Sequence, residues 1–65
     1  MKIRVFAKLM NDYGTNPRVK VVKHTDGAVI LVYEGDPRNM DEEIQDMKVN
    51  SFTVLGTGFV KIYTK

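Results

Sequence analysis

Residues 25–27 read Thr-Asp-Gly, and they stand between two runs of strand character, RVKVVKH before and AVILVYE after. A two-residue hairpin turn needs positive φ at its central positions, which Asp-Gly tolerates at little cost. The two runs are therefore expected to pair as an antiparallel hairpin. The C-terminal stretch SFTVLGTGFVKIYTK reads as a second hairpin. A three-residue loop at Gly56-Thr57-Gly58 sets Val54 opposite Val60 and Phe52 opposite Ile62 and puts Gly58 where a left-handed residue is wanted, whereas a two-residue loop would set Val54 against Lys61 or Phe59.

The remaining segments are read from periodicity. In residues 2–9, Ile3, Val5 and Ala7 alternate with Lys2, Arg4, Phe6 and Lys8, a period of two that reads as a first strand with one face in a core. NDYGTNP, residues 11–17, gathers turn-forming residues and is expected to be the longest and most mobile loop. Ala28 to Tyr33 has no polar position on either side, which places that strand centrally with both faces covered. GDPRN then breaks the chain. Asn39 is expected to cap a helix of about nine residues, answered by Glu42 as in a capping box. Asp41, Glu42 and Glu43 fall in its first turn, where the helix dipole favours negative charge, and Met40, Ile44 and Met47 form its apolar stripe. The expected fold is a single α+β domain over residues 1–65: a small, mainly antiparallel five-stranded sheet (βββαββ) with one short helix packed on it. The variant is an SH3-like or OB-like small barrel.

A 65-residue chain buries only about 60% of the surface its unfolded form exposes, and such folds often lean on disulfides, metals or oligomerisation. The chain has no cysteine and one histidine, which excludes disulfides, thiolate zinc sites and multi-histidine metal sites. Efficient packing or self-association is what remains. Absence of cysteine suits a reducing compartment. The apolar run at residues 28–33 is far short of the ~20 residues of a membrane span, and Arg4 and Lys8 interrupt any signal-peptide core, so a cytoplasmic protein without a membrane partner is expected. The formal net charge of +2 is uneven: residues 1–34 carry six Lys/Arg against three Asp/Glu, and residues 35–65 four against five.

Those cations frame the main candidate site. Lys2, Arg4, Phe6 and Lys8 on the first strand, Arg18, Lys20 and His24 on the second, and Phe59, Lys61 and Tyr63 on the last would form one basic, aromatic face if their strands align. Such a face suits single-stranded nucleic acid, with cations following phosphates and rings stacking on bases. The competing reading is a solvated sheet face, where Lys and Arg also discourage edge pairing. His24 and Asp26 are a two-residue fragment of a triad without a nucleophile beside it, and read as a histidine next to a turn. The acidic residues 41–43 and 46 are explained by helix-start charge rather than by a metal, and Asn11, Asp12 and Asn16 lack the spacing of a calcium loop. Gly-Thr-Gly joins two strands and is no phosphate cradle.

The stretch DEEIQDMKVNSFTVLGTGFVKIY, residues 41–63, resembles short proteins encoded by bacteriophages and other mobile elements, a resemblance that carries no diagnostic residue and assigns no site. A non-catalytic binding or assembly module with a protein partner, including a second copy of itself, is the expected function, without cofactor or metal. A weak, sequence-tolerant nucleic-acid binder is the alternative.

Overall fold

The computed structural model describes residues 1–12, 17–56 and 58–64, with the side chains of residues 11 and 12 left aside. It shows a small α+β domain: α1 (Ile3–Asp12), β1 (Arg18–Thr25), β2 (Ala28–Gly35), a single 3-10 turn (Pro37–Asn39), the one-turn α2 (Glu42–Gln45), β3 (Val49–Val54) and β4 (Phe59–Thr64). The four strands form one sheet in the order β2-β1-β4-β3. β1 and β2 are antiparallel, as are β3 and β4. The two hairpins meet along a parallel β1–β4 pair, so the sheet is mixed and four-stranded, not antiparallel and five-stranded.

The missing strand is α1. Ile3 and Ala7 are buried, and Phe6 and Met10 pack against the same cluster. Those four positions are the i, i+3, i+4, i+7 stripe of a helix. Ile3 and Ala7 also belong to the alternating set, which is why residues 2–9 read as a strand. The deciding side chains are Val5 and Leu9, which alternation would bury and which are exposed. Met1 and Lys2 remain extended and pair with the start of β3: Ile3 N–H donates to Met47 O, and Val49 N–H to Met1 O, at 2.9 and 2.8 Å.

Both hairpins form in the expected registers. Thr25 faces Ala28, and the turn residues Asp26 and Gly27 have φ of 42° and 81°. In the second hairpin Val54 faces Val60 and Phe52 faces Ile62, with Gly58 at φ 79°. Thr57 lies outside the described residues, as do residues 13–16 of the expected long loop.

The helix expected over residues 40–47 shrinks to one turn. The capping role moves from Asn39, which is exposed, to Asp36, whose carboxylate accepts the Arg38 N–H at 2.8 Å at the start of the 3-10 turn. Asp41 precedes α2 without a side-chain cap. Gln45 Nε2 donates to Met40 O at 2.6 Å, and Met47 O is already taken by Ile3 N–H, so the chain leaves helical geometry there. The apolar spacing still serves the core: Met40 is buried, and Ile44 and Met47 are half-buried against it.

The core lies between α1 and one face of the sheet: Ile3, Ala7, Val19, Val21, Met40, Val60 and Ile62. Val19, Val21 and Ile62 are fully buried on the two central strands. The buried Thr64 Oγ1 donates to Val22 O at 3.0 Å, tying β4 to β1. β2, expected at the centre, is an edge strand. Val29, Ile30 and Leu31 are about half exposed, because α1 and Met40 cover β1 and β4 and do not reach the far end of the β1–β2 hairpin.

Candidate functional site

Ladder partners project to the same face of a sheet, so the registers assign every strand side chain. Val19 and Val21 share the α1-covered face with Val60 and Ile62. Arg18, Lys20 and Val22 share the opposite face with Phe59, Lys61 and Tyr63. Across β2 and β3 that open face also receives Glu34 opposite Lys20, Leu31 opposite Val22, Val29 opposite His24, and Ser51 and Thr53 opposite Tyr63 and Lys61.

The ten residues of the expected basic face therefore divide. Arg18, Lys20, His24, Phe59, Lys61 and Tyr63 come together on the open face. Lys61 Nζ lies 5.1 Å from the centroid of the Tyr63 ring, and the His24 ring is 5.9 Å away from the same ring. Lys2, Arg4, Phe6 and Lys8 lie on or before α1, across the core from that face. Phe6 points inward and meets Phe52 with ring centroids 4.9 Å apart. Lys2 and Arg4 both reach Asp46, at 3.7 Å and 2.5 Å. An exposed pair of this kind contributes little stability, about 0–1 kcal/mol, but it neutralises charge that a phosphate would otherwise use.

A recess of about 290 Å³ between α1 and the 3-10 turn is lined by Arg4, Lys8, Arg38, Pro37, Met40 and Gln45, with Ala7 at its floor. Two of its three cations are already paired, Arg4 with Asp46 and Arg38 with Asp36. The Arg38 guanidinium and backbone N–H hold the Asp36 carboxyl down at about 2. His24 is exposed beside the turn, and Asp26 serves that turn through its left-handed backbone. Among the described residues no three His, Asp or Glu side chains cluster as metal ligands. No helix of the described residues is long and apolar enough to cross a membrane.

The remaining feature is apolar, and the sequence reading missed it. On the side of α1 away from Arg4 and Lys8, a groove of about 250 Å³ runs between the helix and β3. It is lined by Phe6, Leu9, Met10, Phe52, Val54 and Val60, with no charged or polar side chain. A second hollow of about 560 Å³ continues it past Met1, Val49, Asn50 and Ser51. Phe52 and Val54 belong to the core-side face of β3, so the groove is the core carried outward to the sheet edge and left uncovered. The signal was present as Leu9 beside the 3, 6, 7, 10 stripe, but only a helical reading of residues 3–12 reveals it.

No protein-family model matches the chain, and no curated protein or solved structure is significantly similar to it. A functional reading therefore rests on these surfaces.

Proposed function

We propose that this chain is a non-catalytic binding and assembly module of the cytoplasm, acting through protein–protein contacts at the groove between α1 and β3. The observation that carries the reading is the makeup of that groove. Phe6, Leu9, Met10, Phe52, Val54 and Val60 offer a bound molecule apolar contact and no acid, base or nucleophile. Contiguous exposed apolar surface at a strand edge is what protein contacts cover. β3 from Val49 to Val54 carries no charge to discourage such pairing. A photo-crosslinking residue at Val54 tests this in cells. Covalent capture of a protein from position 54, whether another chain or this one, is the expected result. Capture confined to nucleic acid from a probe at Lys61 would overturn it.

A second reading has its own observation: Arg18, Lys20, Lys61 and Tyr63 share the open sheet face, with Phe59 on the same face. Cations beside rings suit single-stranded nucleic acid, with affinity that falls as salt rises. Glu34 opposite Lys20 weakens that face. Fluorescence anisotropy with a short single strand distinguishes the readings. Binding at physiological salt that is lost in Tyr63→Ala favours nucleic acid, and no binding even at low salt removes it.

A further inference from the structure

We infer that the α1–β3 groove is one half of a two-fold interface whose occupant is a second copy of this chain, joined edge to edge through β3. The inference rests on the protein-contact reading above and names the partner.

The first argument is the width of the apolar arc on α1. At 100° per residue, Ile3, Phe6, Ala7 and Met10 supply the stripe that one sheet face needs. Leu9 and Val5 extend it on the β3 side alone, where both are nearly half exposed. The other flank holds Arg4 and Lys8. The helix is thus apolar toward β3 and basic away from it.

The second argument is the backbone of β3. Leu55 N–H donates to Phe59 O. Alternation along an antiparallel pair then turns the N–H and C=O groups of Thr53 toward β4 and those of Phe52 and Val54 outward. The register shifts between Val49 and Ser51, so Val49 also turns outward, and it is taken by Met1. Residues 51–55 are the free length, and among the described residues no backbone partner occupies that side. Pairing this length with itself about a two-fold sets Phe52 opposite Val54 of the second copy, exchanging both backbone hydrogen bonds. Thr53 then meets its own counterpart on the open face. No charged side chain falls at any position of that register.

The third argument is symmetry. A two-fold perpendicular to the sheet keeps both α1 helices on the same face. Each copy then brings a Leu9, Phe52 and Val54 to the mouth of the other's groove, and the two open cores close over one another in an eight-stranded sheet. Met1, Val5, Leu9, Phe52, Val54 and Leu55 are the exposed apolar side chains along α1 and β3. With the strand edge they amount to roughly 500–700 Å² of coverable surface, near the about 800 Å² per partner of a stable interface. Both outer strands carry a register break, and such bulges turn an edge away from pairing. On β3 it lies between Val49 and Ser51, before the free length. On β2 it falls mid-strand, opposite Val21 and Val22, which makes β2 the poorer choice.

Sedimentation velocity over a wide concentration range tests the assignment, with far-UV circular dichroism confirming the fold of each variant. The wild-type chain is expected to dimerise. Thr53→Lys and Thr53→Glu, both at an exposed position, should each dimerise at least fivefold more weakly, and an equimolar mixture should recover the wild-type affinity. Leu31→Lys on β2 should leave dimerisation unchanged. A wild-type chain that stays monomeric to millimolar concentration overturns the inference. So does a dimer indifferent to the Thr53 variants, or one lost on Leu31→Lys. A monomer that still crosslinks from position 54 to a different protein overturns the second copy as occupant and leaves the protein-contact reading standing.

Discussion

β1 and β2 are neighbours in one hairpin, and their sequences suggest the reverse of their places. β2, AVILVYEG, is apolar at six consecutive positions and sits at the edge with Ile30 51% exposed. β1, RVKVVKHT, carries Arg18, Lys20 and Lys23 and is central, with Val19 and Val21 fully buried. The difference teaches that coverage, not apolar content, places a strand. α1 needs only one row of β-branched side chains beneath it, and β1 supplies that row with Val19 and Val21. Arg18 and Lys20 occupy the opposite, open face, and Lys23 stands at the far end of the covered face, opposite Thr64. β2 has apolar side chains on both faces, but only Val32 and Tyr33 pack against the core, and Val29 to Leu31 lie beyond the reach of the helix.

The strongest test of this contrast is a pair of truncations compared by chemical denaturation. Ile62→Ala, on the central strand beside β1, should cost about 2–5 kcal/mol, a large share of the stability of so small a domain. Ile30→Ala should stay within about 0.5 kcal/mol, as for an exposed site. Equal losses would put β2 back in the centre.

The next effect concerns the cover itself. Lys8 is exposed on α1, so Lys8→Pro alters no packing, yet it should cost about 3 kcal/mol by breaking the helix. A loss below 1 kcal/mol would mean that the residues over β1 and β4 are not helical. A smaller effect is expected at the seam between the hairpins. Thr64→Val removes the buried hydroxyl that donates to Val22 O, and about 1–2 kcal/mol should be lost. Thr53→Val on the exposed β3 edge should change stability little and serves as the reference.

The smallest effect lies outside the sheet. The Asp36 carboxyl is held at about 2 by Arg38, below its usual 3.8. A carboxyl with a lowered folded-state pKa adds stability above its unfolded value, and that contribution fades as pH falls from about 4 toward 2. An NMR titration should place the Asp36 midpoint near 2 and return it toward the ordinary range in Arg38→Ala. The group is exposed, so the effect on global stability is slight.

What the sequence disclosed follows from range. Both hairpins were legible because their determinants are local: Asp26-Gly27 fixes one turn, and apolar matching across Gly56 to Gly58 fixes the register of the other. Residues 2–9 read as a strand because Ile3 and Ala7 satisfy a period of two and a period of 3.6 equally. Phe6 and Met10 distinguish them only if the window is carried past Lys8. The parallel β1–β4 pair left no local trace, and without it neither the edge position of β2 nor the uncovered side of β3 can be deduced. Of the ten candidate site residues, the six on β1 and β4 do share a face. The four at the N-terminus lie on or before α1, on the other side of the core.

The parallel seam also sets how the chain must reach this state. Each hairpin closes over a turn of two or three residues, an event of about 1–10 μs. The seam joins residues far apart in sequence, with Val22 and Thr64 separated by 42 positions. Its loop-closure entropy must be spent before the central contacts form, so the search is slow relative to either hairpin. The transition state is therefore expected to contain docked hairpins rather than a finished helix. Substitutions at Val21 and Ile62 should slow folding, and those on the exposed flank of α1 should chiefly speed unfolding.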